Sequence, residues 1–185
     1  MLVNTNLKQV VWHPERSCEP AATAALRTKV LKISCDKRIR EGEIQNMSKI
    51  AVVYWSGTGN TEAMAHAVAE GARKAGASVD EVTADQFSAT DVEKYDTFAF
   101  GCPAMGSEML EEDVFQPMWD AIKGLLGEKK TALFGSYGWG TGEWMESWRT
   151  DAEASGVHVV TTAIANDEPD DDALGACREA GEALI

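Results

Sequence analysis

IAVVYW (50–55), SGTGNT (56–61) and EAMAHAVAEGARKAG (62–76) follow one another without a break. The first is short, almost continuously apolar and rich in Val, which is how a strand buried on both faces reads. The third places Ala63, Met64, Ala67, Val68 and Ala75 on one stripe at helical spacing, and Gly76 stands where a helix C-cap is expected. A buried strand that passes through six residues into a helix opens a βαβ unit, and the rest of the chain repeats the pattern. SVDEVTA (78–84) reads as a shorter, edge-like strand, and DTFAFG (96–101), TALFGSY (131–137) and VHVVTTAIA (157–165) as further strands. MLEEDVFQPMWDAIKGLLG (109–127), GEWMESWRTDAEASG (142–156) and DDDALGACREAGEALI (170–185) read as helices, with Pro117 early in the first of them or between two pieces of it. Asp170 to Asp172 crowd the first turn of the last helix, where the helix dipole favours negative charge. Leu174, Cys177, Gly181 and Leu184 follow one of its faces.

Strands alternating with helices of this length predict an α/β fold, a parallel sheet with helices on both faces. In such sheets a ligand sits beyond the carboxyl ends of the strands, at the topological switch point. Residues 56–61, 102–108, 136–142 and 166–169 fall at that end, and all four stretches are unusual in composition.

The chain has 185 residues, 17 Lys or Arg and 30 Asp or Glu, for a net charge of −13. Apolar types make up 44 %, a globular composition, and the length suits one domain with a sizeable core. Strong acidity argues against nucleic acid and anionic membrane as partners. No apolar run approaches the roughly 18 residues a membrane span needs. Cys18, Cys35, Cys102 and Cys177 form neither a disulfide framework nor a CxxC pair, so a reducing, cytoplasmic setting is expected. The charge is unevenly spread. Residues 1–46 hold eight basic and five acidic residues, whereas residues 47–185 hold nine basic and twenty-five acidic ones. The first stretch has no sustained period, and its His13, Cys18 and Cys35 lack the spacing of a metal site. MSKIAVVYW (47–55) reads like a natural chain start. Residues 1–46 are therefore expected to be a poorly patterned, disordered N-terminal extension, or an upstream reading of the gene. Residues 47–185 are expected to be the domain.

Ser56-Gly57-Thr58-Gly59-Asn60-Thr61 is the sharpest chemical signal. Glycines let the backbone turn and point N–H groups inward, three hydroxyls and an amide add donors, and a helix N-terminus aims at the same spot. The result is a phosphate cradle of neutral dipoles. It lacks the Lys of GxxxxGK[ST], and Glu62 stands where the dinucleotide fingerprint needs its last glycine. A terminal monophosphate is the better cargo. Met105 and Trp139 sit on Gly-flanked loop tips at the same sheet end. A flat aromatic ligand would cover both, sulfur on one face and indole on the other; burial against neighbouring loops is the alternative.

VVYWSGTGNTE (52–62), GCPAMGSEMLEE (101–112) and ALFGSYGWGTGEW (132–144) closely resemble the short-chain flavodoxins, especially the clostridial type, and the resemblance runs from residue 49 to 185. It implies a three-layer α/β/α sandwich around a five-stranded parallel sheet in order 2-1-3-4-5. It implies non-covalently bound FMN, used as a low-potential one-electron carrier between semiquinone and hydroquinone. Ser56, Gly57, Thr58, Gly59, Asn60 and Thr61 would hold the phosphate, with Ser136 assisting. Met105 would cover the inner flavin face and Trp139 the outer, and the backbone of Gly138, Trp139 and Gly140 would meet the pyrimidine edge. Glu108 would accept from N3–H, and Gly106 would carry the peptide that turns toward N5. Ala104, Ser107, Tyr137 and Gly142 complete the two loops, and Asn166 matches the family's last loop on the ribityl side. Two residues depart from the clostridial pattern: Pro103 replaces Ser and Ser107 replaces Asp. The first removes an N–H and the second a negative charge beside the turning peptide.

Glu108, Glu111, Glu112, Asp113, Asp167, Glu168 and Asp170 to Asp172 would surround the ring if the loops converge, with no Lys or Arg among them. Their field would oppose a second negative charge on the flavin, and it would steer a basic redox protein: a reductase as donor, a low-potential-requiring enzyme as acceptor. A solvated acidic face is the plainer reading of the same residues. A monomer is expected. His66, His158, Cys102, Cys177, Trp144 and Trp148 read as core or surface groups, and Trp55 and Trp119 have no special claim. Three rivals remain. An FMN-dependent NAD(P)H:quinone or nitro-compound reductase needs an open flavin face. A phospho-receiver needs an Asp where this chain has Gly101-Cys102. A flavin-free binding module would keep the scaffold only.

Overall fold

The computed structural model describes residues 47–185, so the expectations for residues 1–46 lie outside the described residues. Five strands, β1 (Lys49–Tyr54), β2 (Ser78–Thr83), β3 (Thr97–Gly101), β4 (Lys130–Tyr137) and β5 (His158–Asn166), form one sheet in the order β2-β1-β3-β4-β5. Every pairing is parallel, with Val52 opposite Glu81 on one side and Ala99 on the other. The expected strand order is the observed one. Among the described residues three α-helices connect strands, α1 (Asn60–Lys74), α2 (Phe115–Leu126) and α3 (Glu143–Ala154), and a fourth, α4 (Asp171–Ala183), follows β5.

Strand periodicity sorts the core into two layers. Ile50, Val52 and Tyr54 of β1 face α1 and α4, together with Ala99, Ala132 and Phe134. Ala51 and Val53 face α2 and α3, together with Phe98, Phe100 and Leu133. The first layer is built on small residues. A Cβ on Gly71 would lie 2.0 Å from the Arg178 carbonyl oxygen, and one on Gly181 would lie 2.1 Å from that of Val68, so α1 and α4 touch backbone to backbone. The second layer is aromatic. Phe100, Trp119, Trp148 and Phe115 meet edge to face at centroid distances of 5.3 to 5.6 Å, an arrangement favoured by ring quadrupoles.

Two stretches depart from the expected elements. Residues 109–114 are not helical. Met109 and Met105 exchange backbone hydrogen bonds of 2.7 and 2.9 Å, and α2 begins only at Phe115. Pro117 thus falls in its first turn, where the missing N–H costs nothing. The strand-then-helix repeat also breaks after β2, where residues 84–94 hold two 3₁₀ turns, Ala84–Gln86 and Ala89–Lys94, in place of an α-helix.

Cys102 and Cys177 are free and buried. Burial pushes both thiols up to about 12, so neither is a thiolate at neutral pH. Both are expected to resist iodoacetamide in the folded protein and to react after unfolding, as peptide mass spectrometry would read. Labelling of either at the rate of a free thiol would contradict this packing.

Candidate functional site

The four unusual loops converge at the carboxyl end of the sheet. Trp55 donates its backbone N–H to the Gly101 carbonyl at 2.9 Å, which carries β1 to its last contact with β3. The chain then turns so that Ser56 Oγ accepts from Gly59 N–H at 3.1 Å, and α1 starts at Asn60. The first N–H groups of a helix have no intrahelical partner, and they carry its positive dipole end. Beneath this turn Thr61 Oγ1 and Ser136 Oγ, both buried, lie 3.4 Å apart. Asn60 Nδ2 donates to the Asp167 carbonyl at 3.0 Å and ties the cradle to the loop after β5.

A cleft of about 270 Å³ opens there, lined by Gly57, Thr58, Asn60, Ala104, Met105, Ser136, Tyr137 and Gly138 among the expected residues. Trp55, Pro103 and Asp167 line it as well. Trp55 was not expected. Its ring lies so close to Gly57 that a Cβ there would meet Cη2 at 2.9 Å. Ala104 N–H donates to the Ser136 carbonyl at 2.9 Å, joining the second loop to the end of β4. Met105 is 37 % exposed and Trp139 59 % exposed. Both side chains are thus exposed at this end of the sheet.

Glu108 adopts a left-handed backbone (φ 53°), and its Oε1 accepts from Thr141 N–H at 3.2 Å and Gly142 N–H at 3.0 Å. It therefore clamps the second loop to the third and keeps Oε2 for another donor. Gly106 has φ 43° and open space where a Cβ would stand. Asn166 Nδ2 donates to the Tyr137 carbonyl at 3.3 Å, which makes it a clamp on the same loops.

Glu111 corrects an expectation. It does not join the acidic rim but is 7 % exposed and turned inward. Its carboxylate accepts N–H groups of Asp113 (3.0 Å), Val114 (2.9 Å) and Phe115 (2.7 Å), closing the N-terminus of α2. Glu112, Asp113, Asp167, Glu168 and Asp170 to Asp172 stay exposed. His66 pairs with Glu81 on the surface, away from the cleft.

The donor set suits FMN. Neutral N–H and hydroxyl donors at a helix N-terminus suit a phosphate, and a cleft lined by Trp55, Met105 and Tyr137, with the exposed Trp139 next to its lining residue Gly138, suits a flat ring. Comparisons with known proteins agree. The Flavodoxin family profile matches residues 52–181. Flavodoxin of Megasphaera elsdenii is 47 % identical over 134 residues, which is 72 % of this chain and 96 % of that protein. Flavodoxin of Clostridium beijerinckii is 39 % identical over 133 residues, again 72 % and 96 %. The solution structure of two-electron reduced M. elsdenii flavodoxin superimposes with a TM-score of 0.69, covering 73 % of this chain and 97 % of that one at 47 % identity. With sequence, sheet order and cleft in agreement, the chain belongs to the flavodoxin family and is an FMN-binding electron carrier rather than an enzyme.

Proposed function

We propose that this chain passes single electrons between redox proteins at low potential, through one FMN held in the cleft described above. The observation that supports it most is the meeting, at one sheet end, of an anion cradle on the α1 N-terminus with Met105, Tyr137 and the exposed Trp139. Bound FMN supplies the one-electron chemistry; the protein supplies binding, orientation and field. Ser56 to Thr61 and Ser136 hold the phosphate. Met105 and Trp139 cover the ring, with Ala104, Ser107, Tyr137, Gly138, Gly140 and Gly142 around its edge and Asn166 holding the third loop. Trp55, which the sequence reading passed over, joins this lining. Glu108 Oε2 is free for N3–H, and Gly106 can turn its peptide at little steric cost.

The exposed carboxylates at this end, with no Lys or Arg in residues 102–113, 136–142 or 166–172, oppose added negative charge on the ring. For one electron, about 200 mV of lowering equals roughly 4.7 kcal/mol, which calls for the summed field of many carboxylates in a partly dry site. The same rim suits a basic surface on a reductase that donates and on an enzyme that accepts. The carrier works as a monomer that leaves each partner quickly, in a reducing cytoplasm that suits the free thiols of Cys102 and Cys177. Electron transfer to such a partner is expected to slow as salt rises, because screening shortens the reach of the rim.

Anaerobic spectroelectrochemical titration of the purified chain tests the proposal. The expected result is one yellow cofactor per chain and two one-electron couples, the lower far below the upper. A colourless chain that takes up no FMN at micromolar concentration would overturn it.

A further inference from the structure

Three of the six tryptophans are buried to 3 % exposure or less: Trp119, Trp144 and Trp148. They continue a line that begins in the cleft. Tyr137 ends β4 and lines the cleft, and its ring centroid is 5.5 Å from that of Trp144. Trp144 and Trp148 stand on successive turns of α3 and share a second cavity of about 200 Å³. Trp148 and Trp119 are 5.6 Å apart, nearly perpendicular.

The indole N–H groups differ along this line. Nε1 of Trp144 and of Trp148 are buried without an acceptor among the described residues. Nε1 of Trp119 donates to Asp151 Oδ2 at 3.0 Å. Buried polar groups are usually paired, and an unpaired one asks for an explanation. The contrast has a chemical consequence. Removing one electron from an indole makes its N–H strongly acidic. Without a base the proton stays, the cation remains strongly oxidising, and the charge moves on. With a carboxylate at hydrogen-bond distance the proton leaves, and the charge is trapped as a neutral radical.

We propose that Tyr137, Trp144, Trp148 and Trp119 form a one-way relay that carries an oxidising equivalent from light-excited flavin to a trap at Trp119 and Asp151. The proposal rests on the FMN reading above. Tyr137, in the cleft lining, would give up one electron to bound FMN, which when excited by light would supply the oxidant, and the electron vacancy would pass through Trp144 and Trp148 to Trp119. There the Nε1–H bond breaks and the proton goes to Asp151 Oδ2. The flavin has gained one electron, Trp119 has lost one electron and one proton, and Asp151 has gained the proton. Lys123 Nζ, 3.0 Å from both Asp151 oxygens, holds the carboxylate in place, and the 45 % exposure of that side chain lets the proton pass on to water. A vacancy left on Trp139 or Trp55, beside the ring, returns at once; the relay moves it out of reach.

Laser-flash absorption and electron paramagnetic resonance on the FMN-loaded full chain test this, after visible absorbance has shown the cofactor bound. The expected product is a neutral tryptophanyl radical that outlives the flash. Trp119→Phe is expected to lose it while keeping FMN. Asp151→Asn, which leaves the aromatic line in place, is expected to give the protonated cation radical instead. The relay is overturned by a loaded chain that forms no tryptophan radical, or by an unchanged neutral radical in either variant. A chain that binds no FMN fails before the flash and overturns the cofactor reading, with the relay that depends on it.

Discussion

Replacing Glu111 with alanine is expected to lower the unfolding free energy by about 3 kcal/mol, more than any substitution on the rim. One buried carboxylate satisfies three backbone donors in a row, those of Asp113, Val114 and Phe115. Leaving a buried donor unpaired costs roughly 1–3 kcal/mol. Phe115 is fully buried and bears that cost, while the exposed Asp113 regains water. Losing a negative charge at the positive end of α2 adds about 0.3–1 kcal/mol. Glu111 also donates its own N–H to Cys102 Sγ at 3.3 Å, so the loosened turn lies directly under the second cleft loop. Thermal unfolding reads the effect as a fall of roughly 10 °C for a domain of this size. Glu111→Gln keeps one acceptor oxygen and is expected to recover about half. If alanine changed stability by less than about 0.5 kcal/mol, the level of an ordinary surface substitution, the cap would not exist and Glu111 would belong to the rim after all.

That residue marks where the sequence ran out. MLEEDVF carries apolar groups at spacings a helix would accept, so residues 109–114 read as its first turns. What stops the helix is the pair of Met105–Met109 backbone bonds and a side chain folded back onto three N–H groups. Neither leaves a trace in periodicity. Trp55 was hidden for a similar reason: at the end of an apolar run it reads as core, but the strand contacts β3 for the last time at its N–H, and its ring turns toward Gly57. The repeat of strand and helix breaks at residues 84–94, where 3₁₀ turns too short to carry a helical period link β2 to β3. By contrast β1 and α1 were legible, because a fully buried strand and a one-sided helix each impose a composition on every residue. The cradle and the Met105 and Trp139 loops were legible because the sheet end that must carry a ligand follows from topology alone.

Phosphate and ring contribute separately to FMN affinity, and two exposed positions tell them apart. Thr58 lines the cleft, Trp139 follows the lining residue Gly138 in sequence, and both are exposed, so neither Thr58→Asp nor Trp139→Ala should move the unfolding temperature appreciably. Thr58→Asp places a carboxylate beside a group of charge about −2. One pair of unit charges at 4 Å is worth about 1 kcal/mol in water and about 4 kcal/mol near a protein surface. Doubled for the phosphate, the repulsion is expected to weaken FMN binding by at least about thirtyfold, since each 1.4 kcal/mol is tenfold. Riboflavin, the same ring without phosphate, should bind as before. Trp139→Ala is expected to do the opposite. Aromatic stacking on a flat heterocycle is worth about 1–3 kcal/mol, so FMN and riboflavin should both weaken, by about fivefold or more and to the same degree. Fluorescence titration of both ligands against both variants reads the four affinities. Equal losses for the two ligands in Thr58→Asp would mean that the phosphate is held elsewhere, because a charge can discriminate between them only if it stands beside the group in which they differ.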